Sequence, residues 1–271
     1  MEEKKHPLLR FFVATIFPQI IECYTSYGVV QQAIKRGIAE VHALNLRNFA
    51  DNPREVDDEP FGGVPGMVLK PEPIFRAYDF VVEHFGKPYV VITEPWGEPI
   101  TQRTFEELKE KEKIFIICGR YEGVDERVKS IVDRELSLGD FVLSGGELPA
   151  LVLIDGTIRL LEGVLSEPQS LKEDSFSKNW LGYPVYTRPR EYRGMEVPQV
   201  LLSGDHGLIE LWKLYKKIEQ TFKRRPDLIP PPGELSEMEK LILESVKRGE
   251  PFEEFVKKHP KEVRKFKRET R

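Results

Sequence analysis

Three short glycine-bearing stretches carry residue types from which a small-molecule site can be built: EPWG at 94–97, GRYEGVDER at 119–127 and SGGE at 144–147. A glycine pair such as Gly145-Gly146 costs backbone entropy and adds no packing, so it marks a place where the main chain bends tightly or meets something closely. One such pair could equally be an ordinary strand-to-helix turn. Three glycine loops after three strand-like runs point instead to a cradle, because ligands of open parallel sheets sit outside the carboxyl ends of the strands. In this reading the Gly145-Gly146 backbone closes on a ligand that the other two loops also touch. The ligand is not marked as a phosphate compound: neither G-x-G-x-x-G nor G-x-x-x-x-G-K-[ST] occurs, and no lysine adjoins the 144–147 glycines. Ser144 lacks the glycine two positions earlier that a nucleophile elbow needs, which argues against acyl transfer. A fourth cluster, VDDEPFGGVPGMVL at 56–69, holds two adjacent acids and three glycines. It reads either as a loop that meets a substrate, with Asp57 or Asp58 accepting hydrogen bonds from base N–H groups, or as a solvent-exposed hairpin.

These loops need strands and helices to hold them. LRFFVAT (9–15), YVVIT (89–93) and IFIIC (114–118) are short runs of the kind buried on both faces of a parallel sheet, and IAEVHALNL (38–46) alternates enough for a further strand. LGDFVL (138–143) has a strand-like start. Helical spacing predicts one helix over 20–37 ending on Gly37, another over 71–85 entered through Pro71 and Pro73, and a charged one over 104–112. This βα alternation argues for an α/β domain with a mostly parallel sheet. Residues 160–187 are rich in Ser, Pro and Gly without a sustained period and read as a linker or mobile loop. Beyond them the chain reads as helical. Ile209, Trp212, Tyr215, Ile218 and Phe222 form one stripe over 206–222. Ser236 and Glu239 make a capping box for a helix over 237–248, and the basic end is helical too.

At 271 residues, 40% hydrophobic and with mean hydropathy −0.40, the chain is long enough for one large or two modest soluble domains. No apolar run approaches the roughly 20 residues that span a bilayer, and the N-terminus shows no signal-like cleavage site. Two cysteines, Cys23 and Cys118, both in apolar stretches, exclude a disulfide framework and a cysteine zinc site and fit a reducing cytoplasm. The five histidines lack metal-ligand spacing. Charged residues make up 32% of the chain against eleven Asn plus Gln, a composition like that of thermophile proteins. The net charge of −4 is uneven: residues 1–181 carry 21 Lys+Arg and 30 Asp+Glu, and residues 182–271 carry 20 and 15. A basic C-terminal part on an acidic body suits a polyanion partner, or simply a solvated helical surface.

DDEPFGGVPGM, CGRYEGVDER, LGDFVLSGGELPA and DSF…YPVYTRP occur in this order and spacing. Together they resemble the bacterial tRNA (guanine-N1-)-methyltransferases, which modify guanosine at tRNA position 37 beside the anticodon. The likeness runs from about Phe12 to the RRP at 224–226; from about 235 onward no motif matches. The resemblance implies an α/β fold of the knotted (SPOUT) methyltransferase class, with a trefoil knot in a mostly parallel sheet and a smaller helical C-terminal domain. It implies a homodimer with the active site shared between subunits. The domains would be 1–161 (methyl-donor binding), 162–175 (a flexible linker that orders when tRNA binds) and 176–271 (tRNA binding). S-adenosylmethionine would lie on the three loops, against Thr93, Pro95, Gly119, Tyr121 and Glu122, then Leu138, Gly139, Asp140, Phe141, Val142 and Leu143, and finally Gly145, Gly146 and Pro149. Backbone groups would read the adenine edges while Leu138, Leu143 and Pro149 cover its faces. The family more often shows Ser-Pro-Gln-Gly where this chain has Glu94-Pro95-Trp96-Gly97, so the loop carries over but not those two side chains.

Guanine N1 carries a proton and is a poor nucleophile until it leaves, so a carboxylate must take it while a cation steadies the charge that builds on O6. The resemblance assigns Asp174 as the general base and Arg159 as the cation. Taken alone, an Asp before Ser could be a helix N-cap and an Arg near a helix end could serve the helix dipole. The substrate would meet Asp57, Gly62 and Gly63 and, through its phosphates, Arg188, Arg190, Lys223, Arg224 and Arg225. The family is reported to need magnesium, although the sequence shows no metal site; the ion would sit between carboxylates and ligand. The alternatives are a knotted-class enzyme with another target nucleoside, and an RNA-binding protein without catalysis. Asp174 and Arg159 together argue against the latter.

Overall fold

The computed structural model describes residues 8–63, 65–165, 174–176 and 180–270. The chain divides into two compact units, 1–168 and 169–271. Residues 166–173, most of the expected linker, lie outside the described residues.

The first unit is built on a five-stranded sheet: β1 (Leu9–Thr15), β2 (Ala39–Asn45), β5 (Tyr89–Pro99), β6 (Lys113–Cys118) and β7 (Arg134–Ser137). The order is β2-β1-β6-β5-β7 and every pairing is parallel. Successive side chains along the strands point into two different cores. Leu9, Phe11 and Val13 of β1, with Ile114, Ile116 and Cys118 of β6, face one core, while Phe12, Ala14, Phe115 and Ile117 face the other. Both faces are therefore covered, as a parallel sheet requires. On the first face lie α1 (Pro18–Thr25), α2 (Gly28–Lys35), α4 (Gln102–Leu108) and α5 (Glu147–Ile158); on the second, α3 (Pro71–Phe85) inserts Ile74, Ala77 and Val81. Each such fully buried aliphatic side chain contributes about 1.5–3 kcal/mol.

The α/β class and the parallel sheet are as the sequence indicated, with five local differences. The helix expected over 20–37 is two, because Gly28 takes a left-handed φ of +66° and restarts the chain. The helix expected over 104–112 is Gln102–Leu108, entered by a reciprocal Thr101–Thr104 cap. LGDFVL is not a strand: β7 is RELS, and 138–146 is irregular. EPWG does not lie beyond a strand but inside one, since β5 runs on to Pro99 across a register shift between Thr93 and Glu98. Gly97 permits this, because a Cβ there would stand 2.6 Å from the Leu136 nitrogen. The cluster at 56–69 is a hairpin, with β3 (Asp57–Asp58) antiparallel to β4 (Val68–Leu69). Cys118 is buried, but Cys23 is exposed, contrary to the apolar surroundings expected for both.

The second unit is mainly helical, as anticipated. The helix His206–Arg224 packs Leu211, Trp212, Tyr215 and Ile218 against helices Glu237–Lys247, Phe252–Lys258 and Pro260–Glu269. Leu208 and Leu211, rather than Ile209, complete the stripe. The Ser236–Glu239 capping box is formed. A small hairpin, β8 (Glu191–Tyr192) with β9 (Met195–Glu196), precedes these helices. Among the described residues no helix is long and apolar enough to cross a membrane.

Candidate active site

The 93–96 stretch of β5 and the loops that follow β6 and β7 meet at one cavity of about 250 Å³. Of the fourteen residues expected to hold the methyl donor, all but Asp140 line it. Glu94, Trp96, Arg120, Gly123, Ser137 and Ser144 line it as well. The sequence motifs contained all of these but Ser137, yet nothing local to them announced a role.

Gly145 and Gly146, which line the cavity, also let the chain approach itself closely. A Cβ on Gly146 would stand 2.7 Å from Cys118 Cα, 2.9 Å from the Gly119 nitrogen and 3.0 Å from Thr93 Oγ1. The Gly146 N–H donates to the Gly119 carbonyl at 2.9 Å, and Arg120 bridges Gly145. The chain after β7 thus lies directly on the ends of β5 and β6. The neighbouring 119–125 loop is strained at Tyr121, whose φ of +59° is uncommon for a side-chain-bearing residue. It is held there by Gly123 N–H to the Arg120 carbonyl at 2.9 Å and Glu122 N–H to the Met67 carbonyl at 3.0 Å.

Beneath the 144–146 loop sits a buried carboxylate. Glu147, only 2% exposed, accepts from Thr15 Oγ1 at 2.7 Å and pairs with Arg120 at 3.1 Å. Arg120 also donates to the Ser144 carbonyl at 2.9 Å and stands 4.5 Å over the Phe17 ring. Burial, and then the nearby Glu147 carboxylate, push the Cys118 thiol well up, so it is an inert core residue.

The 57–69 hairpin docks on the 119–125 loop through Leu69 N–H to the Gly123 carbonyl (3.1 Å) and Asp125 N–H to the Leu69 carbonyl (3.0 Å). Asp57 faces the Tyr121 phenol; burial first, then the Asp57 charge and hydrogen bond, raise that hydroxyl above its ordinary pKa. Asp58 is instead exposed and held low by the Glu59 N–H and by Lys70, 3.2 Å away. Gly62 and Gly63 both take left-handed φ values at the hairpin tip, next to a fully exposed Phe61.

Arg159 is half-buried and caps the C-terminus of α5, its N–H on the Asp155 carbonyl at 3.1 Å, so the helix-end position noted in the sequence is real. Asp174 is half-buried in the second unit. Its DSF turn carries two hydrogen bonds, Gly182 N–H to Ser175 Oγ at 2.8 Å and Phe176 N–H to the Trp180 carbonyl at 2.9 Å. Arg188, Arg190, Lys223, Arg224 and Arg225 are exposed on that unit. They are not equivalent, because Lys223 is 2.7 Å from Glu219 and Arg225 forms a 2.6 Å pair with Asp227. Among the described residues no three His, Cys, Asp or Glu side chains converge to hold a metal ion.

One polar atom of the cavity wall has no partner: the Thr93 hydroxyl, buried and without a hydrogen bond. A buried orphan of this kind costs roughly 1–3 kcal/mol unless a ligand satisfies it. With apolar walls from Leu138, Leu143 and Pro149 and backbone groups from three loops, the cavity suits a ligand with a flat polar-edged ring.

The comparisons with known proteins agree. Residues 9–231 match the family described as tRNA (Guanine-1)-methyltransferase TrmD. The chain is 65% identical over 251 residues to a tRNA (guanine-N(1)-)-methyltransferase of Aquifex aeolicus (strain VF5), covering 93% of this chain and 96% of the relative. It is 56% identical over 253 residues to one of Persephonella marina, covering 93% and 99%. A crystal structure of tRNA (m1G37) methyltransferase from Aquifex aeolicus matches with a TM-score of 0.69 at 63% identity, over 86% of this chain and 99% of that one. A strand-end cavity assembled from these motifs, in a chain that matches the family over most of its length, leads to one assignment: the protein belongs to the tRNA (guanine-1)-methyltransferase family.

Proposed function

We propose that the protein transfers a methyl group from S-adenosylmethionine to N1 of guanosine at tRNA position 37. The observation that carries the reading is the convergence of the 93–96 stretch of β5 and the loops after β6 and β7 on a cavity whose wall holds an unpartnered Thr93 hydroxyl. The names of the relatives, and the m1G37 product named for the Aquifex aeolicus crystal structure, support the reaction and its position. Bound there, S-adenosylmethionine supplies an electrophilic methyl on a sulfonium. Backbone groups of 138–143 read the edges of its adenine, Leu138, Leu143 and Pro149 cover the faces, and Thr93 gains the partner it lacks.

Asp174 takes the N1 proton. That proton is much less acidic than a carboxylic acid, so its removal must accompany attack on the methyl, and Arg159 lowers the barrier by holding the charge that grows on O6. Asp57, beside Tyr121, and Gly62 and Gly63 at the hairpin tip receive the base and its neighbours. The exposed arginines of the second unit hold phosphates. The working form is a homodimer that shares its active sites. Ile20, Tyr24 and Tyr27 near α1 and Leu148 and Val152 of α5 are exposed apolar residues, the kind of surface that a second subunit covers. The first unit with its linker, 1–161 and 162–175, carries donor and chemistry, and 176–271 grips the tRNA, in the cytoplasm where tRNA is found.

Methyl transfer to tRNA transcripts with and without guanosine at position 37, followed by nucleoside mass spectrometry, tests the reading. It predicts 1-methylguanosine only in the former. A different methylated nucleoside would point to another target, and no methylation would sink the proposal.

A further inference from the structure

Trp96 stands at the mouth of the cavity, 68% exposed, yet it is not a loose surface side chain. Lys129 lies 5.5 Å from the centre of its ring. The same ammonium is paired with Glu94 and, at 2.7 Å, with Glu135. The indole also faces the carboxylates of Glu94 and Glu135: burial raises the Glu94 pKa against the pull of Lys129, while Lys129 first and the indole after it lower that of Glu135. Glu94 and Lys129 are themselves largely buried, their side chains 7% and 15% exposed. A lysine bridging two carboxylates therefore fixes an aromatic ring that has little apolar packing of its own.

A large apolar ring left in water gains nothing for the fold. A ring immobilised in water beside a ligand cavity has already lost the rotamer entropy that binding would otherwise cost. From this arrangement we propose that Trp96 is a preset stacking wall for the nucleoside half of the methyl donor, and that Glu94, Lys129 and Glu135 are its positioning residues. The inference rests on the reading of the cavity as the S-adenosylmethionine site. It adds that this chain holds its donor with an aromatic face where a Gln would offer only an amide.

The test uses the full-length protein, with S-adenosylmethionine and 5′-methylthioadenosine as probes. Calorimetry should show both probes binding roughly 5- to 100-fold more weakly to Trp96→Gln, the range expected for loss of a base–aromatic stack. Trp96→Phe should recover most of that loss. The other two tryptophans, Trp180 and Trp212, are buried in the second unit. Ligand should therefore change the tryptophan emission of the wild type and leave that of Trp96→Phe unchanged. Unaltered affinity in Trp96→Gln, with a wild type that binds normally, overturns the inference and leaves the donor site intact. So does loss of 5′-methylthioadenosine affinity that Trp96→Phe fails to restore. A wild type that binds neither probe overturns the inference and the cavity reading together.

Discussion

The side chain that most tightly couples fold to site is Glu147. Its carboxylate is buried between Thr15, which ends β1, and Arg120, which lines the cavity and donates to the Ser144 carbonyl. Removing one member of a buried ion pair costs about 3–5 kcal/mol, because the other charge stays behind without its counterion. Glu147→Ala should therefore lower the unfolding free energy by that order and weaken donor binding, since Arg120 would no longer fix Ser144. Urea unfolding followed at equilibrium, with S-adenosylmethionine titrations beside it, checks both effects. Asp174 belongs to the other category. Ser175 and Phe176 hydrogen bonds hold its DSF turn, and Asp174→Asn keeps the side chain's size and an accepting oxygen, so the variant should leave that turn intact. As the proposed general base, its loss should reduce turnover about 10²- to 10⁴-fold. Donor affinity should stay within twofold, and single-turnover methylation paired with calorimetry separates the two effects.

Elements decide where those side chains can stand, and they differ in how far the sequence reveals them. The parallel strands were legible because burial on both faces demands uninterrupted apolar runs, and IFIIC has no other reading. The Ser236–Glu239 cap was legible because it is made within four residues. The continuation of β5 through Glu94-Pro95-Trp96-Gly97 was not, because what fits it there is the backbone of Leu136, some forty residues on. The same holds for Gly146, whose missing side chain answers to Cys118, Gly119 and Thr93. Likewise the motifs named the residues of the cavity, but not the pairs that brace it, Arg120 with Glu147 and Glu94 with Lys129, since an ion pair far apart in sequence leaves no periodic trace. Gly146→Ala should accordingly disrupt the packing of the loop on β6 and abolish donor binding, which calorimetry would register as a flat titration. In the second unit the Glu250 carboxylate joins separate helices: it accepts from Arg248 at 2.9 Å, Lys258 at 2.8 Å and Ser245 at 2.7 Å. These hydrogen bonds pull its pKa down to about 2 from an ordinary 4.5. A depressed carboxylate contributes stability that is complete above the unfolded value and is lost as pH falls toward the folded one. The difference in melting temperature between wild type and Glu250→Gln should therefore be constant above about pH 5 and close progressively between about 4.5 and 2. Thermal melts across that range would measure it.

At the scale of the whole molecule, charge is segregated along the chain: 21 cationic against 30 acidic residues up to 181, and 20 against 15 beyond. Bulk charge cannot by itself say which cations meet RNA, because many are already answered by local acids. In the second unit Lys223 is tied to Glu219 and Arg225 to Asp227, whereas Arg188, Arg190 and Arg224 have no ion pair among the described residues. An arginine that must first leave an aspartate gains less from a phosphate than one that surrenders only water. It also releases fewer counterions from the RNA. The logarithm of tRNA affinity should fall linearly with the logarithm of salt concentration, with a slope of about 0.7–0.9 per phosphate neutralised. Replacing Arg188, Arg190 and Arg224 together by Gln should then flatten that slope by roughly two to three such contacts. Arg225→Gln should change it by less than one, even though it removes the same formal charge as any single member of the triple variant. Filter binding of a tRNA transcript at a series of potassium concentrations distinguishes the cases. Equal slopes for Arg225→Gln and each single variant of the other three would mean that the Asp227 pair opens without cost, and that net charge alone, rather than its local pairing, governs how the second unit holds RNA.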